Sequence, residues 1–221
     1  GGASVPMSAN PIVQEKGNPE LSYLYQQIGQ YLGEQPGTSG PVYVGAFVLM
    51  LFILGLFIVK GPMKWALLAA TVLSVALSWG KNMMWLTDLF IDYMPLYAKF
   101  RTVASILVVA EFTIPLLAML ALKKIIDEPE VLTQKIKYVY ASFGLTAGIA
   151  LMFALMPSVF FGSFVSSDEI RALSQFPPQQ LNPILADLTA VRQAIFKADC
   201  WRSFWIILIG TAFLLLYKAK K

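Results

Sequence analysis

The apolar positions of this chain fall into long uncharged runs separated by short polar segments. Residues 42–59 carry no charged side chain, and similar runs recur at 65–79, 102–122 (broken only by Glu111), 138–161 and 203–217. About 20 apolar residues make a helix long enough to cross a bilayer. The pattern predicts an all-α polytopic transmembrane helical bundle of about five spans, joined by short interfacial amphipathic helices. The second run is short, reaching about 22 Å at the helical rise, and flanking Lys64 and Lys81 are expected to snorkel to the headgroups and let it cross.

The polar segments carry helical spacing of their own. Asn18-Pro19-Glu20 supplies a cap, a proline for the first helical position and an acid for the first turn. Leu21, Leu24, Tyr25, Ile28, Tyr31 and Leu32 then form one apolar stripe, expected to lie on the bilayer surface or against the bundle. Residues 33–41 are dense in glycine and proline but lack a following Gly-Lys-Ser/Thr, which favours a connecting loop over a phosphate cradle. Between Gly80 and Arg101 an interfacial helix is expected, ended by Pro95. It places Trp85, Leu86, Leu89, Phe90 and Tyr93 on its apolar side, with Asp88 and Asp92 as neighbours on another. Pro157 lies near the end of the fourth span, where a kink is tolerable because neighbouring helices can satisfy the freed carbonyl. In the longest connection Ser166 to Glu169 fits a capping box, and Asn182-Pro183 repeats the cap-plus-proline signal. Leu188, Val191 and Ile195 keep helical spacing, with Asp187, Arg192 and Lys197 elsewhere on a helix expected to pack on the bilayer surface.

Composition agrees with a membrane reading. Apolar residues make up 57% of the chain and charged residues 14%, against about a quarter charged in soluble proteins; mean hydropathy is +0.64. The net charge of +4 is carried at the ends of the apolar runs and not by a nucleic-acid motif, so no nucleic-acid partner is expected. Lys60, Lys64, Lys123, Lys124, Lys135, Lys137, Lys218, Lys220 and Lys221 concentrate on one side, which the positive-inside rule assigns to the cytoplasm. The organisation that follows is an extracytoplasmic segment over 1–41 and a four-span bundle over 42–161. An extracytoplasmic helical connection over 162–202 and a fifth span with a basic cytoplasmic end over 203–221 complete it. The chemistry is then expected on the extracytoplasmic face. The chain opens on Gly1-Gly2-Ala3-Ser4 without an initiator Met, and is expected to be a fragment of a longer protein.

The absence of histidine excludes histidine general bases, Ser-His and Cys-His nucleophiles and His-ligated zinc. The single Cys200 has no disulfide partner and reads as a packed apolar residue. Glu111, nine residues or about 14 Å into its run, is the intramembrane acid. It either links helices by hydrogen bonding, through Thr113 or a tyrosine, or handles substrate or protons. Asp88 and Asp92, followed by Lys99 and Arg101, form the densest charged cluster of the outer face. Two carboxylates suit a divalent cation, though no metal-ligand set is assigned, and the basic pair suits a phosphate head. A wet helix face with bilayer anchors is the plainer reading of the same residues. The tryptophans at 65, 79, 85, 201 and 205 read as an aromatic belt.

Three stretches carry a resemblance. Gln35-Pro36-Gly37-Thr38-Ser39-Gly40-Pro41-Val42-Tyr43-Val44-Gly45, then Leu77-Ser78-Trp79-Gly80-Lys81-Asn82, then Tyr97-Ala98-Lys99-Phe100-Arg101-Thr102-Val103 resemble, in order and spacing, the YfhO family of bacterial polytopic membrane proteins. In that family a Tyr-Val/Phe-Gly span entry, a Gly-Lys/Arg-Asn turn and a Phe-Arg entry recur. The likeness is best over residues 31–122. The resemblance implies a GT-C-like glycosyltransferase of the bacterial inner membrane that uses a polyprenyl-phosphate sugar donor at the outer face and serves the cell envelope. It implies further that the essential acid lies in the first outer loop of the whole protein, upstream of Gly1, so no catalytic residue is carried over. Lys81, Asn82, Lys99 and Arg101 match the family pattern as substrate-facing positions. The partners implied are the bilayer, the sugar donor and the remainder of the chain. A transporter or lipid flippase with Glu111 as relay, and a structural membrane subunit, are the alternatives.

Overall fold

The computed structural model describes residues 6–30, 43–94, 97, 103–161 and 163–219, excepting the side chains of Lys81, Val103, Ala104 and Pro178. The loop expected at 33–41, the helix stop at Pro95, and Lys99 and Arg101 lie outside the described residues. The described chain is all-α: α1 (Pro11–Lys16), α2 (Ser22–Gln27), α3 (Ala46–Ile58), α4 (Met63–Ser78), α5 (Met84–Tyr93), α6 (Leu107–Asp127), α7 (Glu130–Gln134), α8 (Ile136–Phe143), α9 (Ile149–Leu155), α10 (Pro157–Phe160), α11 (Ser167–Leu173) and α12 (Pro178–Ala219). A π-helical turn, Gly144–Gly148, joins α8 to α9. The helices sort into two compact units, Gly1–Pro41 with Ala150–Arg202 and Val42–Ile149 with Ser203–Lys221.

In the second unit, α3 begins where Gly45 takes φ 90°, a left-handed conformation that an L side chain rarely adopts. Met50, Leu54 and Ile58 of α3 pack with Ala118, Ala121 and Ile125 of α6, and Ile207 and Leu214 of α12 join the same core. The small side chains on α6 let the two backbones approach. A Cβ added at Gly55 would lie 3.0 Å from the Leu117 carbonyl oxygen. Between α4 and α6, Leu67 packs on Ala110, Ile114 and Leu117, and two polar contacts join this apolar seam: the Thr71 and Thr113 hydroxyls lie 2.7 Å apart, and Ser74 Oγ donates to the carbonyl of Ile106, the cap of α6, at 2.6 Å. Lys64 Nζ donates to the Leu56 carbonyl at 2.8 Å, so it satisfies a carbonyl in the last turn of α3.

The first unit joins the N-terminal segment to residues 150–202. Asn10 and Asn18 each accept a backbone N–H two residues on, capping α1 and the 3-10 turn Pro19–Leu21. Leu21, Leu24, Tyr25 and Ile28 meet Leu188, Val191 and Ile195 of α12 in one apolar core. The described part of the first stripe, residues 21–28, and the 184–195 stripe are therefore covered by protein, and the expectation that the 184–195 stripe packs on a bilayer surface is corrected. Ser166 and Glu169 form the expected capping box at α11. Asn182-Pro183 starts nothing, since Pro183 lies inside α12. Pro157 occupies the first position of α10 and does not kink a longer helix.

The five-span bundle is overturned. Among the described residues, two helices are long and apolar enough to cross a membrane by length and composition: Ile136–Leu155, of 20 residues, and Gln179–Ala219, of 41 residues. Ala46–Ile58 has 13 residues and Met63–Ser78 has 16, rising about 20 and 24 Å against a hydrocarbon core of about 30 Å. The 42–59 run overstated its helix because Gly45 is a turn and Val59 is already extended. α6 is long enough, but Glu111 and the Lys123, Lys124 and Asp127 cluster interrupt its apolar character. The described chain is an all-α fold with dense packing across its helices.

Candidate functional site

α5 carries the acids singled out in the sequence. It follows the 3-10 turn Gly80–Met83, where the Asn82 N–H donates to the Trp79 carbonyl at 3.0 Å and Thr87 Oγ1 reaches back to the Gly80 carbonyl at 3.2 Å. Leu86 is the buried residue of α5, and the Phe90 ring meets the Tyr97 ring at 5.5 Å. Helical spacing turns Trp85, Leu89 and Tyr93 away from those contacts, and all three are exposed, although the sequence placed them with Leu86 and Phe90 on one apolar side. Asp88 and Asp92, both exposed, border this outward apolar strip one turn apart. Asn82 is exposed on the turn just before the helix, and Lys81 shares that turn. Of the candidates Lys81, Asn82, Asp88, Asp92, Lys99 and Arg101, the structure thus places Asn82, Asp88 and Asp92 in full, on one turn-helix element. Among the described residues no three His, Cys, Asp or Glu side chains come together as a metal site.

Glu111 is half-buried on α6. Among the described residues its carboxyl group makes no hydrogen bond or ion pair. The helix-linking hydrogen bond of this region belongs to Thr71 and Thr113, and Thr113 also donates to the Val109 carbonyl at 2.9 Å. Pro115 lies four residues further on and has no N–H, so it cannot bond the Glu111 carbonyl. A carboxyl group and a freed main-chain carbonyl therefore belong to one residue of an otherwise apolar stretch.

The densest polar network lies in the first unit, on a residue that the sequence placed away from the apolar stripe. Arg192 is 1% exposed. Its Nη1 donates to Glu169 Oε2 at 2.7 Å and to the Phe164 carbonyl at 2.8 Å, and its Nη2 donates to Glu169 Oε1 at 2.5 Å and to the Gly29 carbonyl at 3.1 Å. One guanidinium fork thereby ties the N-terminal segment, the entry to α11 and α12 together. Burial alone would raise the Glu169 carboxyl, but the Arg192 hydrogen bonds and the Ser166 N–H outweigh it and hold the group below the ordinary carboxylate range. Nearby, the Tyr25 hydroxyl donates to the Asp187 carboxylate and accepts the Asn18 N–H at 3.1 Å. Burial, aided by Asp187, pushes Tyr25 up to about 12. The signal for Arg192 was in the spacing: it stands four residues after Leu188 and three before Ile195, on the face those residues define.

No family model, curated protein or solved structure matches this chain.

Proposed function

We propose that the second unit sits in a lipid bilayer and that the chain contributes the lipid-facing part of a sugar transferase using a polyprenyl-phosphate-linked donor, as its resemblance to the YfhO family implies. The observation that carries this reading is the outward surface of the unit. Large apolar side chains stand exposed on its helices, with Val72 on α4, Phe112 and Met119 on α6 and Phe213 on α12, and α5 sets Asp88 and Asp92 beside exposed Trp85, Leu89 and Tyr93. Large exposed apolar surface marks a lipid or protein interaction face. A groove of about 600 Å³ on the same unit, walled by Leu122, Ile126, Ile209, Phe213 and Tyr217, suits a hydrocarbon chain. Magnesium binds one or two protein carboxylates together with substrate phosphates, a donor set that Asp88 and Asp92 would complete.

The test uses the purified chain in phosphatidylcholine nanodiscs with magnesium and undecaprenyl phosphate. The wild type should bind it, and Asp88→Asn with Asp92→Asn, or Arg101→Ala, should weaken binding about tenfold while leaving nanodisc insertion intact. Equal affinity in all of them would reduce these residues to a wet helix face. The unpaired state of Glu111 and its freed carbonyl favour a second reading, a transporter in which this acid relays protons. There, Glu111→Gln would abolish proton flux into liposomes while donor binding stayed at the wild-type level.

A further inference from the structure

The first unit holds a cleft of about 540 Å³, within the range of small-ligand sites. Its floor is apolar, with Leu24, Leu173 and Ile184 of the unit's core. Its polar and aromatic lining is Glu20, Tyr23 and Gln27 from the N-terminal segment, and Glu169, Gln175 and Phe176 from α11 and the residues after it. Tyr23 is 71% and Phe176 37% exposed, so two aromatic rings are left open where a core would have buried them. Among the described residues neither Gln27 nor Gln175 uses its side-chain amide in a hydrogen bond.

We infer that this cleft binds a neutral saccharide, because open rings, free amides and a fixed carboxylate converge in it without a basic side chain among its lining residues. A sugar ring presents apolar C–H faces and a rim of hydroxyls. The faces pack on Tyr23 and Phe176. Each hydroxyl both donates and accepts, which a glutamine amide matches with its NH₂ and carbonyl, while Glu20 accepts. Glu169 is pre-oriented: Arg192 and Ser166 fix its carboxylate before any ligand arrives, which lowers the ordering cost of binding. The charge of Arg192 is spent on Glu169, so nothing in the lining rewards a phosphate or carboxylate on the ligand.

The inference goes beyond the reading above, since the cleft shares no residue with α5 or Glu111 and either can fail alone. The test is saturation-transfer NMR on the whole chain in nanodiscs, with maltose, lactose and chitobiose as probes. At least one should receive transfer from the protein, and Phe176→Ala and Gln175→Ala should each cut the signal at least fivefold. Lys197→Ala, on a different groove of the same unit, should leave it unchanged, as should the Asp88→Asn, Asp92→Asn chain. Circular dichroism identical to wild type shows that the cleft variants keep their fold. Transfer to none of the probes, or transfer that persists in both cleft variants, overturns the assignment.

Discussion

Arg192 shows how much a single side chain decides here. Removing one partner of a buried ion pair leaves the other uncompensated, at a cost of about 3–5 kcal/mol. Glu169 is partly exposed and can rehydrate, so Arg192→Met should cost about 3 kcal/mol, read as a lower urea midpoint by circular dichroism. An unchanged midpoint would mean that the fork is not what holds residues 6–30 in place. The same network sets a pH dependence. Glu169 is held below its ordinary value, so its contribution is present above the usual carboxyl range near 4.3 and is lost as pH falls through the lowered value. Tyr25 is raised, so its contribution is full below about 10 and disappears as pH climbs towards about 12. The urea midpoint should therefore fall at both extremes, and Tyr25→Phe should remove the alkaline loss alone. Both asparagine caps are Asn-Pro pairs, and only the second was read from the sequence. The third pair, Asn182-Pro183, looked the same and sits inside a helix. A cap motif names a possible start, and the surrounding packing decides whether the helix already began upstream.

At the scale of elements, close approach separates helices that touch from helices that merely follow one another. A Cβ at Gly210 of α12 would lie 2.3 Å from the Phe47 ring of α3 and 2.7 Å from its Cγ, whereas one at Gly148 meets nothing within 4 Å. Gly210→Leu should therefore displace the Phe47 ring and cost about 1–3 kcal/mol, while Gly148→Ala should be neutral or stabilise by up to about 1 kcal/mol through its gain in helix propensity. Thermal unfolding in detergent measures both; equal effects would show that α3 and α12 do not pack as described. Helix existence and helical period were legible in the apolar runs. Helix length was not, because an uncharged run counts turn residues such as Gly45 and Val59 along with helical ones. That difference turned a run of eighteen residues into a helix of 13, and among the described residues two candidate spans stand where five were expected.

The whole molecule holds what the sequence could not show. The first unit joins residues near the N-terminus to residues 150–202, and no local pattern announces that Gly29 and Glu169 meet one guanidinium. The acids of α5 were legible because they are neighbours on one helix; the cleft was not, because its walls come from distant segments. The central proposal is that this chain lives in a membrane, with Gln179 on the extracytoplasmic side and Glu128 on the cytoplasmic side. A single crossing by Ile136–Leu155 would separate Glu128 from Gln179, both exposed. The most direct measurement is labelling of single cysteines, introduced into a Cys200→Ser chain, with an impermeant maleimide on intact bacterial cells. Gln179→Cys should be labelled and Glu128→Cys spared until the cells are lysed. Labelling of both positions, or of Glu128→Cys alone, would contradict the account.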